Sequence, residues 1–292
     1  MARKNIFQLV EENYNIQDEI EKINDLFYET DYFSNAKCGY TLYELIDEYL
    51  LEKWRYRQTC LDVDEYLERA NAELPNRSHE PISEDIIINF LEVIENFLKL
   101  YFDNATPLLE KYRIKPYNSL HTTFRMIVSK LEKHMGLTIR EYQDKIILYP
   151  KNAPLEKVIE LCEDEDVQWE LIRYVREDLS LNEKRKTLAY LATNLYIEDD
   201  PNEQNDHIKA LVSKAGNVLN NLHIRHNNKT GKWENKALED LEEQDAISLC
   251  DMVYNEMLTI VLLREHKEYE KTYSDFSKKQ KEARAKKKAE SK

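Results

Sequence analysis

Residues 217–232 concentrate the side chains of this chain that could hold or cut a phosphodiester. The segment, NVLNNLHIRHNNKTGK, contains one arginine, two histidines, two lysines and five asparagines. An arginine guanidinium can hold a scissile phosphate through two hydrogen bonds and offset negative charge in the transition state. An imidazole titrates near neutral pH, so it can take a proton from a 2′-hydroxyl or give one to a leaving oxygen. Arg225 and His226 therefore predict RNA cleavage without a metal.

The polar residues around this pair are candidates for holding the nucleic acid. We expect Arg225 and His226 to be catalytic, and the following residues to bind RNA: Asn221, His223, Asn227, Asn228, Lys229 and Lys232. The four cysteines are far apart and form no CxxC pair, and the acidic runs 62–65 and 163–166 are typical of helix starts. We therefore expect no metal and no other cofactor.

A purely structural role explains part of the same segment. Cations at the end of a helix stabilise the negative end of its dipole, and asparagine readily adopts the left-handed conformation of a helix cap. Such capping accounts for Arg225 and the asparagines. It accounts less well for two histidines, one arginine and several asparagines in a single turn.

The turn between two patterned helices resembles the HEPN domains of bacterial abortive-infection and toxin–antitoxin proteins. These are compact helical bundles, and many are metal-independent ribonucleases. Their signature is an Arg, a polar residue, a few residues and a His, and two copies meet across a homodimer interface. The resemblance covers about residues 155–270 and is carried by LNNLHIRHNN. It implies that Arg225 holds the phosphate and that His226 takes the polar position after it.

The chain departs from this signature where the family has its second histidine. Residues 229–232 are Lys-Thr-Gly-Lys, and the next histidine along the chain is His266. The general base would then be His226 or His223, or Thr230 would occupy the family position without its chemistry. A HEPN-like domain that only binds RNA or a protein partner, such as an antitoxin, fits the same residues.

Composition and periodicity favour a helical fold. The chain has 292 residues but only 4 glycines and 7 prolines, too few for glycine-rich phosphate loops, and its 42% of apolar residues excludes general disorder. Apolar residues recur with the 3.6-residue period of helices. We predict an all-α helical bundle with one small β-hairpin near residues 137–149, where apolar and polar residues alternate on either side of EYQDK.

The pattern divides the chain into four segments: an N-terminal helical domain (1–135), a hairpin connector (136–152), a C-terminal HEPN-like bundle (153–277) and a basic tail (278–292). Thr41 and Glu44 predict a capping box. Ser83 predicts the start of a long apolar helix, with one or two further helical turns after Pro107. A clean apolar stripe predicts a helix over 207–222, and a last long helix begins near residue 237.

The net charge of −14 is distributed unevenly. Residues 278–292 carry +6 and the remainder of the chain −20. The tail could hold RNA or an acidic partner, although a solvated helix end is the simpler interpretation. The acidic surface suggests an alternative function, a non-enzymatic scaffold or regulator that binds a protein partner. Because no run reaches about 18 apolar residues and the start lacks an apolar signal core, we expect a cytoplasmic protein without a membrane partner.

Overall fold

The computed structural model describes residues 14–29, 31, 33–34, 39–74, 82–112, 115–116, 118–198, 203, 205–221 and 241–290. The chain divides into two compact units, Met1–Lys151 and Asn152–Lys292.

The first unit contains helices α1 to α5 and strands β1 to β5. The helices are α1 (Ile16–Tyr28), α2 (Leu42–Leu45), α3 (Val63–Arg69), α4 (Glu84–Tyr112) and α5 (Asn118–His134). The strands are β1 (Phe33–Ser34), β2 (Gly39–Tyr40), β3 (Lys115–Pro116), β4 (Leu137–Tyr142) and β5 (Lys145–Pro150). A π-helical turn over Ile46–Leu50 and two 3₁₀ turns, Leu51–Lys53 and Arg55–Arg57, follow α2.

An aromatic cluster around α4 forms the centre of the first unit. Phe97 of α4 stacks on Phe27 of α1, with ring centroids 6.1 Å apart, and meets the edge of Trp54 at 5.4 Å. Phe27 and Phe97 are fully buried. These aromatic residues therefore pack in the core, where burial of their large apolar rings stabilises the fold.

Strands β4 and β5 pair antiparallel as a hairpin that packs on α4. Gln143 and Asp144 form its two-residue turn, and both have positive φ, 48° and 66°, as a type I′ turn requires. Gly136 (φ 66°) makes the connection from α5, at a left-handed position that costs glycine least.

Among the described residues of the second unit, every regular element is a helix. Its helices are α6 (Ala153–Leu161), α7 (Glu165–Arg176), α8 (Leu181–Asn194), α9 (Asp206–Asn221) and α10 (Glu243–Glu290). Asn152, Asp164 and Ser180 cap α6, α7 and α8, and Ser180 forms a full capping box with Glu183. Asn205 similarly accepts the backbone N–H groups of His207 and Ile208.

Helices α9 and α10 run antiparallel. Lys267 of α10 pairs with Glu203 at 2.7 Å, just before α9, and Lys214 of α9 pairs with Glu256. The two ion pairs are eleven residues apart on both segments, but in opposite directions along the chain, as expected for antiparallel helices. Helix α8 runs parallel to α10, because Lys184 near its start bonds Asp251 while Arg264 donates to the carbonyl of Tyr196, just past its end.

The predicted fold class is confirmed: the structure is mostly helical, with a small hairpin where the alternation predicted it. Two details differ. The long apolar helix and the turns after Pro107 are one helix, α4, although a proline in a helix interior removes a backbone donor. A second, minimal sheet joins two-residue strands in the order β2-β1-β3, and these are too short to leave an alternating pattern.

Part of α10, Glu243–Tyr269, is long and apolar enough to cross a membrane by length and composition. Core helices of soluble proteins meet the same criterion. Here α6, α8 and α9 pack against α10 and cover side chains such as Val253, Met257 and Ile260. The acidic residues Asp251 and Glu256 pair with Lys184 and Lys214. Of the apolar window in this stretch, 39% is buried.

Candidate functional site

The predicted site falls almost wholly outside the described residues. Asn221 is the last residue of α9, and the other members lie in the undescribed segment 222–240: His223, Arg225, His226, Asn227, Asn228, Lys229 and Lys232. The assignment of Arg225 and His226 as a catalytic pair therefore stays a prediction. The structure does describe the helices that precede and follow this segment.

The two helix ends that bound the segment lie at the same end of the α9/α10 pair. The antiparallel register places Asn221 level with about residue 249 of α10, roughly six residues, or about 9 Å, from the start of that helix. The last described residue before the undescribed segment 222–240 and the start of α10 after it therefore lie at one end of this helix pair. Glu242, Glu243 and Asp245 begin α10 at the positive end of its dipole, where carboxylates are stabilised.

A polar cluster joins α7, α8 and α10 near this end. The Asp251 carboxylate accepts hydrogen bonds from the Tyr174 hydroxyl at 2.9 Å and from Lys184 Nζ at 2.6 Å. Tyr174 stacks on Tyr254 with centroids 4.3 Å apart, and the Tyr254 hydroxyl donates to the carbonyl of Leu171 at 2.7 Å. Burial raises the pKa of Tyr174, and the charge of Asp251 raises it further. Tyr174 is therefore a neutral donor.

Arg185 follows Lys184 on α8, and its buried Nε has no hydrogen-bond partner among the described residues. The buried thiol of Cys250 lies within its electrostatic reach. Burial raises the pKa of that thiol to about 11, so the thiol is neutral and offers no counter-charge.

The acidic runs considered in the sequence are helix caps, as expected. The Asp62 carboxylate accepts the Glu65 N–H at 2.8 Å, and the Asp164 carboxylate accepts the Asp166 N–H at the same distance. Within the ranges that the structure describes, no group of three or more His, Cys, Asp or Glu side chains could hold a metal ion.

The first unit buries a pair of carboxyl groups that the sequence reasoning missed. Glu95 of α4 and Glu132 of α5 are only 5% and 2% exposed. Arg125 reaches Glu95 at 3.3 Å, whereas both oxygens of Glu132 lack a partner in the described structure. Burial first, and then the charge of Glu95, raises the pKa of Glu132 to about 8. The Glu132 carboxyl is therefore largely protonated at neutral pH.

Helical spacing marks both glutamates in the sequence. Glu132 lies four residues after Val128 and eight after Phe124 on the apolar stripe of α5, and Glu95 lies four residues after Leu91 on that of α4. A charged residue on an apolar stripe is the signal that could have located them.

No family model, no curated protein and no solved structure matches this chain.

Proposed function

We propose that this protein is a metal-independent ribonuclease, or an RNA-binding effector, of bacterial phage defence. Arg225 holds the scissile phosphate, and His226 or His223 transfers the proton. Asn221, Asn227, Asn228, Lys229 and Lys232 bind the flanking RNA.

The observation that carries this proposal is the chemistry of the segment between α9 and α10. Two helices that pack antiparallel, and are tied by Lys214–Glu256 and Lys267–Glu203, form a rigid base from which the segment leaves and to which it returns. A catalytic loop on a fixed scaffold is a common arrangement, because function concentrates in loops that rigid elements position. The basic and imidazole side chains between these helix ends supply phosphate binding and proton transfer.

The proposal includes an assembly and a location. We propose that the protein acts in the cytoplasm as a homodimer in which the two 223–232 segments face each other, and that a protein partner such as an antitoxin controls it. The paired charges and covered apolar face of α10 support a helix of a soluble bundle.

The decisive experiment compares Arg225→Ala and His226→Ala with the parent protein on single-stranded RNA in the presence of EDTA. Each change should reduce the cleavage rate by about 100-fold or more, because a positioned acid or base contributes about that much. Growth arrest on expression should be abolished in parallel, while circular dichroism spectra remain unchanged.

His207→Ala is the matched control, since it removes an exposed histidine from the first turn of α9, at the opposite end of the helix. Its cleavage rate should equal that of the parent. Equal toxicity in the Arg225→Ala and His226→Ala variants would contradict catalysis. Recovery of a stable protein complex that survives nuclease treatment, without RNA, would instead favour the acidic scaffold.

A further inference from the structure

Strand β4 forms the open edge of the hairpin. On β5, the N–H groups of Ile146 and Leu148 point away from β4, because they donate to side chains of α4. These two residues lie opposite Glu141 and Ile139 of β4, respectively. Residues directly opposite each other in an antiparallel pair either exchange both backbone hydrogen bonds or direct both outward. The N–H and C=O groups of Ile139 and Glu141 therefore point away from β5.

No described segment pairs with this edge. Leu137 is two residues before Ile139, so three residues of β4 present outward backbone groups, and no hydrogen bond from another described segment reaches them. The strand lies within residues 118–198, which the structure describes without a gap. The apolar side chain of Ile139 is 45% exposed, and the side chain of Glu141 is 58% exposed. The edge of β4 is therefore accessible.

The hairpin holds this edge in a fixed conformation. At its turn, Arg55 donates to the carbonyl of Gln143 at 2.6 Å. At its other end, the Lys151 N–H donates to the Gly136 carbonyl at 2.7 Å. Side chains of α4 complete the outer edge of β5, whereas β4 presents a pre-formed row of donors and acceptors. Such a row is a template for pairing with another strand.

We propose that the β4 edges of two copies of this chain pair antiparallel across a two-fold axis at Ile139. The two hairpins then form one four-stranded sheet, and the same surface is used on both copies. In this register Ile139 lies opposite Ile139 of the second copy, and Leu137 lies opposite Glu141. All three outward-facing residues of each strand are paired, and each pair exchanges both of its backbone hydrogen bonds.

The side chains of β4 select this register and a second copy as the occupant. An axis at Arg140 or at Glu141 would place two like charges directly opposite each other, which is destabilising. An axis at Thr138 would leave Glu141 without a partner strand. The axis at Ile139 instead joins two exposed apolar side chains, places Arg140 opposite Thr138, and leaves the ion pair of Glu141 with Lys99 (3.1 Å) in place. The edge is therefore complementary to itself.

The contact is small, so we expect a weak dimer. Each strand has six residues, and interfaces below about 1,200 Å² are typical of transient complexes. The dissociation constant should therefore lie above about 1 µM. The inference does not rest on the proposed function, because β4 belongs to the first unit and its edge would also pair in a protein that cleaves no RNA. It is also distinct from the contact proposed for residues 223–232, which belong to the second unit.

Oxidative cross-linking of the full-length Ile139→Cys variant tests the register. Opposite residues of a hydrogen-bonded antiparallel pair have Cα atoms about 5.5 Å apart, which a disulfide can span. Oxidation should convert most of this variant to a covalent dimer. Glu141→Cys is the matched control, because its two copies would lie four residues apart along the strand, about 13 Å. The parent protein, with its four cysteines, sets the background.

Sedimentation equilibrium measures the same contact without a cross-link. Ile139→Lys should raise the dissociation constant of the dimer by about tenfold or more, because it places two ammonium groups directly opposite each other. Leu61→Lys is the control, since it adds the same charge at an apolar residue of the same unit that is 83% exposed. It should leave the dissociation constant within about twofold.

Cross-linking of Ile139→Cys no greater than that of the parent, or equal cross-linking at positions 139 and 141, would overturn this inference. Unchanged self-association of Ile139→Lys would overturn it as well. Neither result bears on RNA cleavage, which the Arg225→Ala and His226→Ala variants test. A protein that cross-links at position 139 but cleaves no RNA would contradict the proposed function and support the pairing of β4.

Discussion

The fold buries the Glu132 carboxyl group without a hydrogen-bond partner among the described residues. The Glu132 carboxyl avoids the cost of burying a charge by keeping its proton, because its pKa is raised to about 8. A buried acid that keeps its proton in the folded state makes stability depend on pH.

Stability of the first unit should fall as the pH rises, because of Glu132. The unfolded carboxyl ionises near its ordinary pKa of 4.5, while the folded one keeps its proton until about pH 8. The folded state then binds more protons than the unfolded state, so stability declines between these two values. Glu132→Gln should remove this contribution: its Tm should exceed that of the parent at pH 8, and the difference should shrink towards pH 4.5.

The control is Glu52→Gln, which changes an exposed glutamate of the same unit. It should leave the pH profile of the Tm unchanged. The explanation would be wrong if Glu132→Gln and the parent showed parallel profiles, since burial of the carboxyl would then not govern its titration. The charged groups closest to Glu132 are Glu95, which raises its pKa, and Arg125, which opposes that effect.

Sequence periodicity could place these glutamates on apolar stripes, but it could not show that they are buried together. That depends on α4 and α5 packing stripe to stripe, with Arg125 close to Glu95 alone. The position of Arg185 on α8 can likewise be predicted, whereas the burial of its Nε without an acceptor among the described residues follows from tertiary packing. Whether a charged side chain has a partner depends on tertiary packing, which a sequence pattern does not show.

Among the elements, α4 does more than pack, because its polar side chains complete the outer edge of β5. Asn96 accepts the Ile146 N–H at 2.8 Å and donates to the Ile146 carbonyl at 2.7 Å, and Glu92 accepts the Leu148 N–H at 2.8 Å. An edge strand otherwise presents free donors and acceptors that invite pairing with another chain. The helix therefore positions the hairpin and also protects its edge.

Replacement of Asn96 by Ala should destabilise the first unit by about 2 kcal/mol, because the part-buried N–H and C=O of Ile146 lose their partner. Chemical denaturation followed by tryptophan fluorescence would measure the change, since Trp54 packs on Phe97 in the same core.

Asn104→Ala provides the comparison on the same helix. Asn104 bonds the carbonyl four residues earlier, as Asn96 does, and no contact to a strand accompanies that bond among the described residues. Its removal should cost about 1 kcal/mol or less. Equal costs at the two positions would show that the strand contacts contribute nothing.

Elements with a local signal were predictable. The Thr41–Glu44 capping box, the hairpin and the stripe of α9 follow from caps and periodicity, and the structure contains each of them. The strands of the minimal sheet were not predictable, because β1, β2 and β3 have two residues each and a period of two needs a longer run. The π-helical turn at Ile46–Leu50 likewise has no known sequence signature that differs from an α-helix.

For the molecule as a whole, α10 links the acidic second unit to the basic tail. Its first part lies in the acidic second unit, where Asp251, Glu256 and Lys267 form ion pairs. Its backbone continues as a helix to Glu290, through the basic residues of the tail. Among the described side chains of this extension, Lys271 and Lys278 are exposed. A net charge of −14 opposes RNA binding on average, yet a separated basic end can still supply phosphate contacts.

Neutralising the tail should therefore weaken RNA binding in a strongly salt-dependent manner. Replacing its eight Lys and Arg residues by Gln removes the positive end of the molecule and leaves the helices of the second unit untouched. The slope of log K against log salt should fall by about 0.7 for each phosphate that the tail no longer neutralises on a single strand. A variant with the same tail residues in scrambled order should bind as the parent does, because counterion release depends on charge and not on order. If the neutralised protein binds RNA with the parental slope, the tail is a solvated helix end, and the segment between α9 and α10 must supply the phosphate contacts.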